Sequence, residues 1–438
     1  MIVSPAFAGK TYAVLGLARS GLATVRSLIA SGARVLAWDD REAARADAAA
    51  LGAEIADPQV NDLTGFAGVA VSPGVPINRH PIAKHARAAG VPLIGDIELF
   101  AQARSGLPPH KVVGITGTNG KSTTTALVHH ILQVAGVPSL MGGNIGLPIL
   151  SRDPLPAGGV YVLELSSYQI DLMNSLDCDV AVLLNVTPDH LDRYDGFASY
   201  RASKLRLFAM QSGRHAGVVA TADETVRNLL AALKVGPRTW RFDKSEGGAL
   251  AHTARHDWPA LQGPHNWQNA WAAYCVAAEL GVAKNVRDAA LCTYPGLPHR
   301  MERVAEAGGV LFVNDSKATN ADSAAPALAA YPAIRWILGG QAKSADLDAC
   351  TRNFSHVRSA YTIGEAGPML ADLLRPHMPV TEAGTLDAAV AQAAQDAAVG
   401  DTVLLSPACA SFDQFRDFEH RGDTFRELAQ AVAKGDRP

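Results

Sequence analysis

Apolar positions in this chain come in short continuous runs, each followed by a longer stretch with helical spacing of alanine and leucine. Tyr12–Leu15 and Arg34–Trp38 bracket one such stretch, which ends at Ser31-Gly32, and Val69–Val71 stops at the tight turn Ser72-Pro-Gly-Val-Pro76. A second block holds the apolar run that opens Val112–Thr125, then Val160–Glu164 and Val180–Val186, and predicted helices around Phe197–Gln211 and from Asn266 to Leu280, the latter closed by Gly281. A third block opens near Leu297 and carries runs at Leu311–Val313, Trp336–Leu338, Ala360–Ile363 and Thr402–Leu405, separated by alanine-rich helical stretches. Strands alternating with helices throughout predict an α/β chain with parallel sheets in all three blocks.

At 438 residues the chain exceeds one ordinary core, which agrees with several domains. Its 48% hydrophobic and 18% charged residues give a globular balance, and a net charge of −3 without a long basic block argues against nucleic acid or a membrane surface as partner. The five cysteines are scattered without C-x-x-C spacing, so buried free thiols in a reducing cytoplasm are expected rather than disulfides or zinc. No run is long enough to span a bilayer, and the first residues read as a strand rather than a signal peptide. The expectation is a cytoplasmic protein with no membrane insertion.

Chemistry concentrates where the apolar runs end. Val112–Thr125 reads VVGITGTNGKSTTT: a strand, a glycine-rich turn, then Lys121-Ser122 at the start of a helix reaching about Gly136. Backbone N–H groups freed by Gly117 and Gly120 can surround phosphate oxygens, Lys121 can neutralise outer phosphates, and the Ser122 hydroxyl can ligate Mg²⁺. The loop is shorter than GxxxxGK[ST], because Ile115 stands at the first glycine position. Glu164 closes the next strand where a metal-holding carboxylate belongs, and Asp189 and His190 follow the strand after it. Lys204, in YRASKLRLF, reads by spacing as a solvated lysine with its stem on the helix surface. Two polar strand-end segments, Asn314–Asn320 and Ser406–Asp413, suit ligand binding, and Cys409 within the second reads as a small buried thiol. The first block has G-x-x-x-x-G at Gly16–Gly21, a weak dinucleotide signal. A nucleotide-driven switch or a nicotinamide-binding protein would fit fewer of these features, since the two polar turns look like substrate sites and no hydride-transfer constellation is evident.

GTNGKSTTT, ELSSYQ, NVTPDHLDRY, YRASKLRLF, GPHNWQNA, LPHRME, NDSKATN and SPACASFDQF follow in one order over nearly the whole chain, which resembles the ATP-dependent Mur ligases. GGNIGLP, DIELF and DQFRDFEHRG bring it nearest the members that add D-glutamate to UDP-N-acetylmuramoyl-L-alanine. The resemblance implies three domains: a Rossmann-like domain at 1–95 for the UDP substrate, a phosphate-loop ATP-binding domain at 96–296 with a parallel sheet, and a Rossmann-like domain at 297–438 for the amino acid. It implies an acyl-phosphate reaction with ATP and two Mg²⁺ ions, catalysed by a monomer. Gly117, Thr118, Asn119, Gly120, Lys121, Ser122 and Thr123 match the phosphate loop. Asn266 and Asn269 match the adenine side, and Arg300, Asp315 and Lys317 match further ATP contacts. Ser122, Glu164 and His190 match metal ligands, joined by Lys204, which matches a lysine that is carbamylated in the family. Asn144 matches the acyl site. Ser20, Asp39, Arg41 and Ser72, Pro73 and Gly74 match the UDP site, while Thr319, Lys343, Ser411 and Phe418 match the D-glutamate pocket. Ala18-Arg19-Ser20 and Asp40 depart from the usual pattern of the first turn.

Overall fold

A computed structural model describes residues 1–189, 193–220, 239–242, 258–342 and 346–435. These residues form two compact units, the first carrying two sheets and the second carrying one.

In the first unit, β1 (Thr11–Leu15), β2 (Arg34–Trp38), β3 (Glu54–Ile55), β4 (Gly68–Val71) and β5 (Leu93–Ile94) pair in the order β3-β2-β1-β4-β5. Every pairing is parallel. The order reverses direction beside β1, so β1 and β4 end on either side of a switch point, where open α/β sheets bind ligands. The second sheet comprises β6 (His110–Thr116), β7 (Ser139–Gly143), β8 (Gly159–Glu164), β9 (Val180–Leu183), β10 (Ala216–Ala220) and β11 (Thr239–Phe242). Its order is β11-β10-β9-β6-β8-β7, again wholly parallel. The strand expected over Val180–Val186 stops at Leu183, because Leu184 and Asn185 turn their backbone groups to Thr116 and the phosphate loop instead.

The second unit contains β12 (Glu302–Ala307), β13 (Val310–Asn314), β14 (Ile334–Gly339), β15 (Val357–Ile363), β16 (Val380–Gly384) and β17 (Thr402–Leu405), ordered β12-β13-β17-β14-β15-β16. Side chains alternate between its two faces: Val313, Trp336, Leu338 and Leu404 pack on one side, Phe312, Ile337, Val403 and Leu405 on the other. Helices cover both faces of this sheet, as in doubly wound folds. One expectation fails at its edge. β12 runs antiparallel to β13, because Gly308 and Gly309 both adopt positive φ and close a two-residue hairpin turn, leaving no length for a crossover helix.

None of the five cysteines forms a disulfide; Cys178, Cys275, Cys350 and Cys409 are buried, whereas Cys292 is exposed. Burial pushes the Cys409 thiol up to about 11, which removes it as a nucleophile near neutral pH.

Candidate active site

The phosphate loop leaves β6 at Thr116 and enters the helix Lys121–Val134 through Gly120 in the left-handed conformation, φ 85°. Only glycine fits there, since a Cβ would lie 2.2 Å from the Asn269 amide oxygen. Neighbouring strand ends hold the loop. Thr118 N–H donates to Asn185 O at 3.0 Å, Asn119 N–H donates to the Asn185 side-chain oxygen at 2.8 Å, and the Asn185 amide returns a bond to Asn119 O at 3.1 Å. The Thr118 hydroxyl accepts from Thr187 N–H and lies 3.2 Å from the Tyr200 hydroxyl. Lys121 Nζ donates to Gly117 O and Thr118 O, at 3.0 and 2.8 Å. Ser122 and Thr123 are buried in the first helical turn. The Thr124 hydroxyl reaches Asn269 on the helix Pro264–Glu279. Asn266, on the same helix, donates to Gln262 O.

Register brings the acid to the loop. Ile115 on β6 pairs with Glu164 on β8, and Asn144 N–H donates to Glu164 O while its side-chain amide donates to Glu164 Oε1 at 3.0 Å. Glu164 is buried, and its Oε2 has no hydrogen-bond partner among the described residues. A buried carboxylate oxygen left open at a strand end next to β6, from which the phosphate loop leaves, suits a hard divalent cation. The residues present therefore fit Mg²⁺. His190 lies outside the described residues.

Lys204 corrects the reading from spacing. It is 1% exposed, and its Nζ donates to Gly117 O at 2.9 Å and stands 4.6 Å from the Tyr200 ring centre. Burial and then the charge of Lys121 bring its amine down to about 7. A helix that packs Tyr200, Ser203, Leu207 and Phe208 inward also carries Lys204 inward, so its apolar neighbours were signs of burial rather than of a stem on the surface.

The first sheet presents the nucleotide-sugar candidates. Asp39, just beyond β2, accepts from Leu17 N–H at 2.7 Å and pairs with Arg41, which holds its carboxyl down at about 2. Ser72, just beyond β4, donates to Gly16 O at 2.8 Å and so joins the two turns. Ser20 lies in the first turn of the helix Arg19–Ala30. Arg193 closes on the following turn: its guanidinium donates to Pro73 O, Gly74 O and Val75 O at 3.1–3.2 Å. Sequence reasoning passed over Arg193 and Asn185, although both stand inside or beside the NVTPDHLDRY motif.

In the second unit, Asp315 follows β13 and is buried, accepting from Met301 N–H and the Ser406 hydroxyl. Burial pushes its carboxyl up to about 7. Arg300 sits between two non-glycine residues with left-handed backbone, His299 at φ 60° and Met301 at φ 50°, a strain that accumulates at functional turns. Lys317 Nζ lies 4.9 Å from the Phe418 ring centre, Ser411 is buried, and Thr319 is half-buried. Lys343 lies outside the described residues. Arg421 gathers these turns. Wholly buried, it donates to Ser316 O and its hydroxyl, Gly339 O, Cys409 O and Ala410 O. Burial lowers it to about 10, so it stays charged at neutral pH. DQFRDFEHRG contained this residue, but its sequence gave no sign of the four distant carbonyls it serves.

Residues 10–95, 115–277 and 299–409 match, respectively, the Mur ligase MurD-like N-terminal domain, the Mur ligase middle domain, and the Mur ligase glutamate ligase domain. The chain is 64% identical over 432 residues to a UDP-N-acetylmuramoylalanine--D-glutamate ligase of Novosphingobium aromaticivorans, covering 99% of this chain and 97% of that one. It is 60% identical to the protein of that name in Sphingopyxis alaskensis, over 99% of this chain and 100% of that one. Among solved structures, a MurF ligase from Thermotoga maritima in complex with ADP shares the fold with a TM-score of 0.58 at 15% identity, covering 97% of this chain and 96% of that one. The UDP-N-acetylmuramate-alanine ligase MurC of the same organism gives 0.56 at 16% identity, over 97% and 99%.

Proposed function

The chain belongs to the Mur ligase family and joins D-glutamate to UDP-N-acetylmuramoyl-L-alanine with ATP in peptidoglycan precursor synthesis, and from that premise we propose how its residues divide the reaction. Residues 1–95 hold the UDP end of the substrate, 96–296 hold ATP, and 297–438 hold D-glutamate. A carboxylate oxygen of the alanyl group attacks the γ-phosphorus of ATP, the bond to the β-γ bridging oxygen breaks, and ADP leaves. The glutamate amine then attacks the acyl carbon, forming a tetrahedral intermediate. Phosphate departs with the bonding pair, and the amine loses a proton to give the amide.

In the first step Lys121, now bonded to Gly117 O and Thr118 O, turns to the outer phosphates, and the loop N–H groups receive their oxygens. Asn144 orients both Glu164 and the reacting carboxylate. The family uses Mg²⁺, and two ions, held by Ser122, Glu164, His190 and carbamylated Lys204, would supply positive charge against the repelling oxyanions. Thr319, Lys343, Ser411 and Phe418 receive the amino acid, while Arg300, Asp315 and Lys317 complete the ATP contacts. Ser20, Asp39, Arg41 and the Ser72–Gly74 turn take the uridine diphosphate.

One observation carries the carbamate: Lys204 is buried on the phosphate loop with an amine that is half neutral near pH 7. Only the neutral amine adds CO₂, forming an N–C bond and releasing one proton, and the product keeps an N–H for Gly117 O. Among the described residues no helix is long and apolar enough to cross a membrane. Since one chain supplies every group named, we assign a monomer, acting in the cytoplasm where both nucleotide substrates are made. Phosphate release should require UDP-N-acetylmuramoyl-L-alanine, ATP and D-glutamate together, with little release for L-glutamate. In Lys204→Ala, short carboxylates should restore part of the activity, and ¹³C-bicarbonate should label wild type but not the variant. Absence of both effects in a folded, ATP-binding variant overturns the carbamate.

A further inference from the structure

A cavity of about 680 Å³ opens in the first unit behind the Ser72–Gly74 turn. Pro73, Val75, Ile77, Tyr168, Asp171 and Leu172 are among the residues that line it. Val75 and Ile77 pack against the apolar cluster that includes Leu172, and Arg193 holds the backbone of the turn. Its two terminal nitrogens take the carbonyls of three successive residues, Pro73, Gly74 and Val75, a task that needs the forked planar guanidinium.

The other side of Arg193 is anchored to the second sheet. Its guanidinium carbon lies 4.4 Å from the ring centre of Tyr168, on the short helix Ser167–Asp171 that follows Glu164. Tyr168 stacks with Tyr194 at 6.1 Å, and Tyr194 meets Tyr200 edge-on at 5.4 Å. The Tyr194 hydroxyl donates to Asp171 at 2.7 Å, and the Tyr200 hydroxyl lies 3.2 Å from that of Thr118 in the phosphate loop. A continuous set of contacts thus runs from the turn beyond β4 to the phosphate loop.

We propose that Arg193 is a positioning residue that sets the nucleotide-sugar turn in register with the phosphoryl-transfer end of the second sheet, acting on the substrate through the Pro73–Val75 backbone. This inference rests on the assignment of the Ser72–Gly74 turn to the UDP substrate. Misplacing bound substrate by an ångström is enough to slow a reaction that depends on alignment.

The test compares three full-length variants by steady-state kinetics and by calorimetric binding of UDP-N-acetylmuramoyl-L-alanine. Arg193→Met should raise the KM for that substrate about tenfold and leave the KM for ATP within about twofold. Arg193→Lys should behave nearly as Arg193→Met, because one ammonium cannot serve three carbonyls. Recovery in Arg193→Lys would show that charge alone acts on the diphosphate, and equal rises in both KM values would show a merely structural role; either overturns the proposal. Gly74→Leu separates the two readings, since a Cβ at Gly74 meets nothing within 4 Å and an unchanged unfolding midpoint checks that the fold accepts the side chain. If Gly74→Leu weakens UDP-substrate binding while Arg193→Met does not, the role of Arg193 fails. If Gly74→Leu has no effect, the assignment of the turn itself fails.

Discussion

The phosphate loop and the strand ends of the third sheet, the sites proposed for ATP and D-glutamate, are built in opposite ways. The loop is mostly local: Gly117–Lys121 is one continuous stretch, Lys121 bonds back to carbonyls three and four residues away, and outside support comes from Asn185 and Thr187 beyond the adjoining strand and from Tyr200 and Lys204 on one helix. In the third sheet no stretch makes a cradle by itself. Turns after β13, β14 and β17 are drawn together by Arg421, which lies 105 residues from Ser316 and 82 from Gly339. A phosphate cluster recurs with fixed geometry, so a short loop and a helix N-terminus suffice for it. An amino acid with several charged ends needs groups from several strands, and one buried guanidinium can satisfy the carbonyls that this convergence strands away from water.

Removing each organiser gives the largest contrast. Lys121→Ala should reduce turnover on the order of 10³-fold while leaving D-glutamate binding and the unfolding midpoint near wild type. Rapid-quench measurement of ADP formation, beside calorimetry with D-glutamate, checks this; a matching loss of D-glutamate affinity would dissolve the contrast. Arg421→Met should act the other way. It leaves the carbonyls of Ser316, Gly339, Cys409 and Ala410 without this donor, destabilising the second unit by about 3 kcal/mol. The D-glutamate KM should rise more than about tenfold, with a much smaller change for ATP binding to the first unit. Urea unfolding and kinetics with each substrate varied separate these outcomes.

The same contrast explains what could be read in the chain itself. Strands Arg34–Trp38 and Thr402–Leu405 and the helix beginning at Lys121 were visible to the residue, because apolar runs and glycine turns are local signals. The phosphate loop was legible for the same reason. Burial of Lys204 was not, since a lysine inside a mixed helix titrates and packs according to what other strands bring near it, here Gly117 and Lys121. Family resemblance marked Lys204 as special without saying what makes its amine reactive. Arg421 and Arg193 escaped because their partners are carbonyls, and every residue type offers one. The antiparallel β12 was missed although Gly308-Gly309 is a local hairpin signal; polar Glu302–Ala307 did not resemble an apolar strand.

A smaller perturbation sharpens the local side of the comparison. Gly120→Ala places a Cβ 2.2 Å from the Asn269 amide oxygen at a φ of 85°, so either the Asn269 side chain or the loop must shift. The expected loss is about 1–3 kcal/mol of stability, with the ATP KM raised about tenfold and the D-glutamate KM little changed. Thermal unfolding with and without a non-hydrolysable ATP analogue measures both effects. If the analogue stabilises the variant as well as it does wild type, the loop is more yielding than its contacts indicate.

The subtlest expectation concerns the pH dependence of folding, and it contrasts two buried cations. Arg421, at about 10, stays charged across the neutral range, so it adds no slope there. Lys204 is held at about 7 against 10.5 for an unperturbed amine. Between these values the unfolded chain carries a proton that the folded chain lacks, so stability rises with pH over that window; below about 7 both forms are protonated and this contribution is flat. In CO₂-free buffer the slope should approach about 1 kcal/mol per pH unit between pH 7.5 and 9.5, and Lys204→Met should remove it. Adding bicarbonate to wild type should raise stability while keeping the slope, because the carbamate, like the neutral amine, lacks the proton that the unfolded ammonium carries. Unfolding midpoints in urea across the window, for both proteins with and without bicarbonate, distinguish the cases. A slope that persists in Lys204→Met would assign the titration to another group and leave Lys204 charged on the phosphate loop, as Arg421 is among its carbonyls.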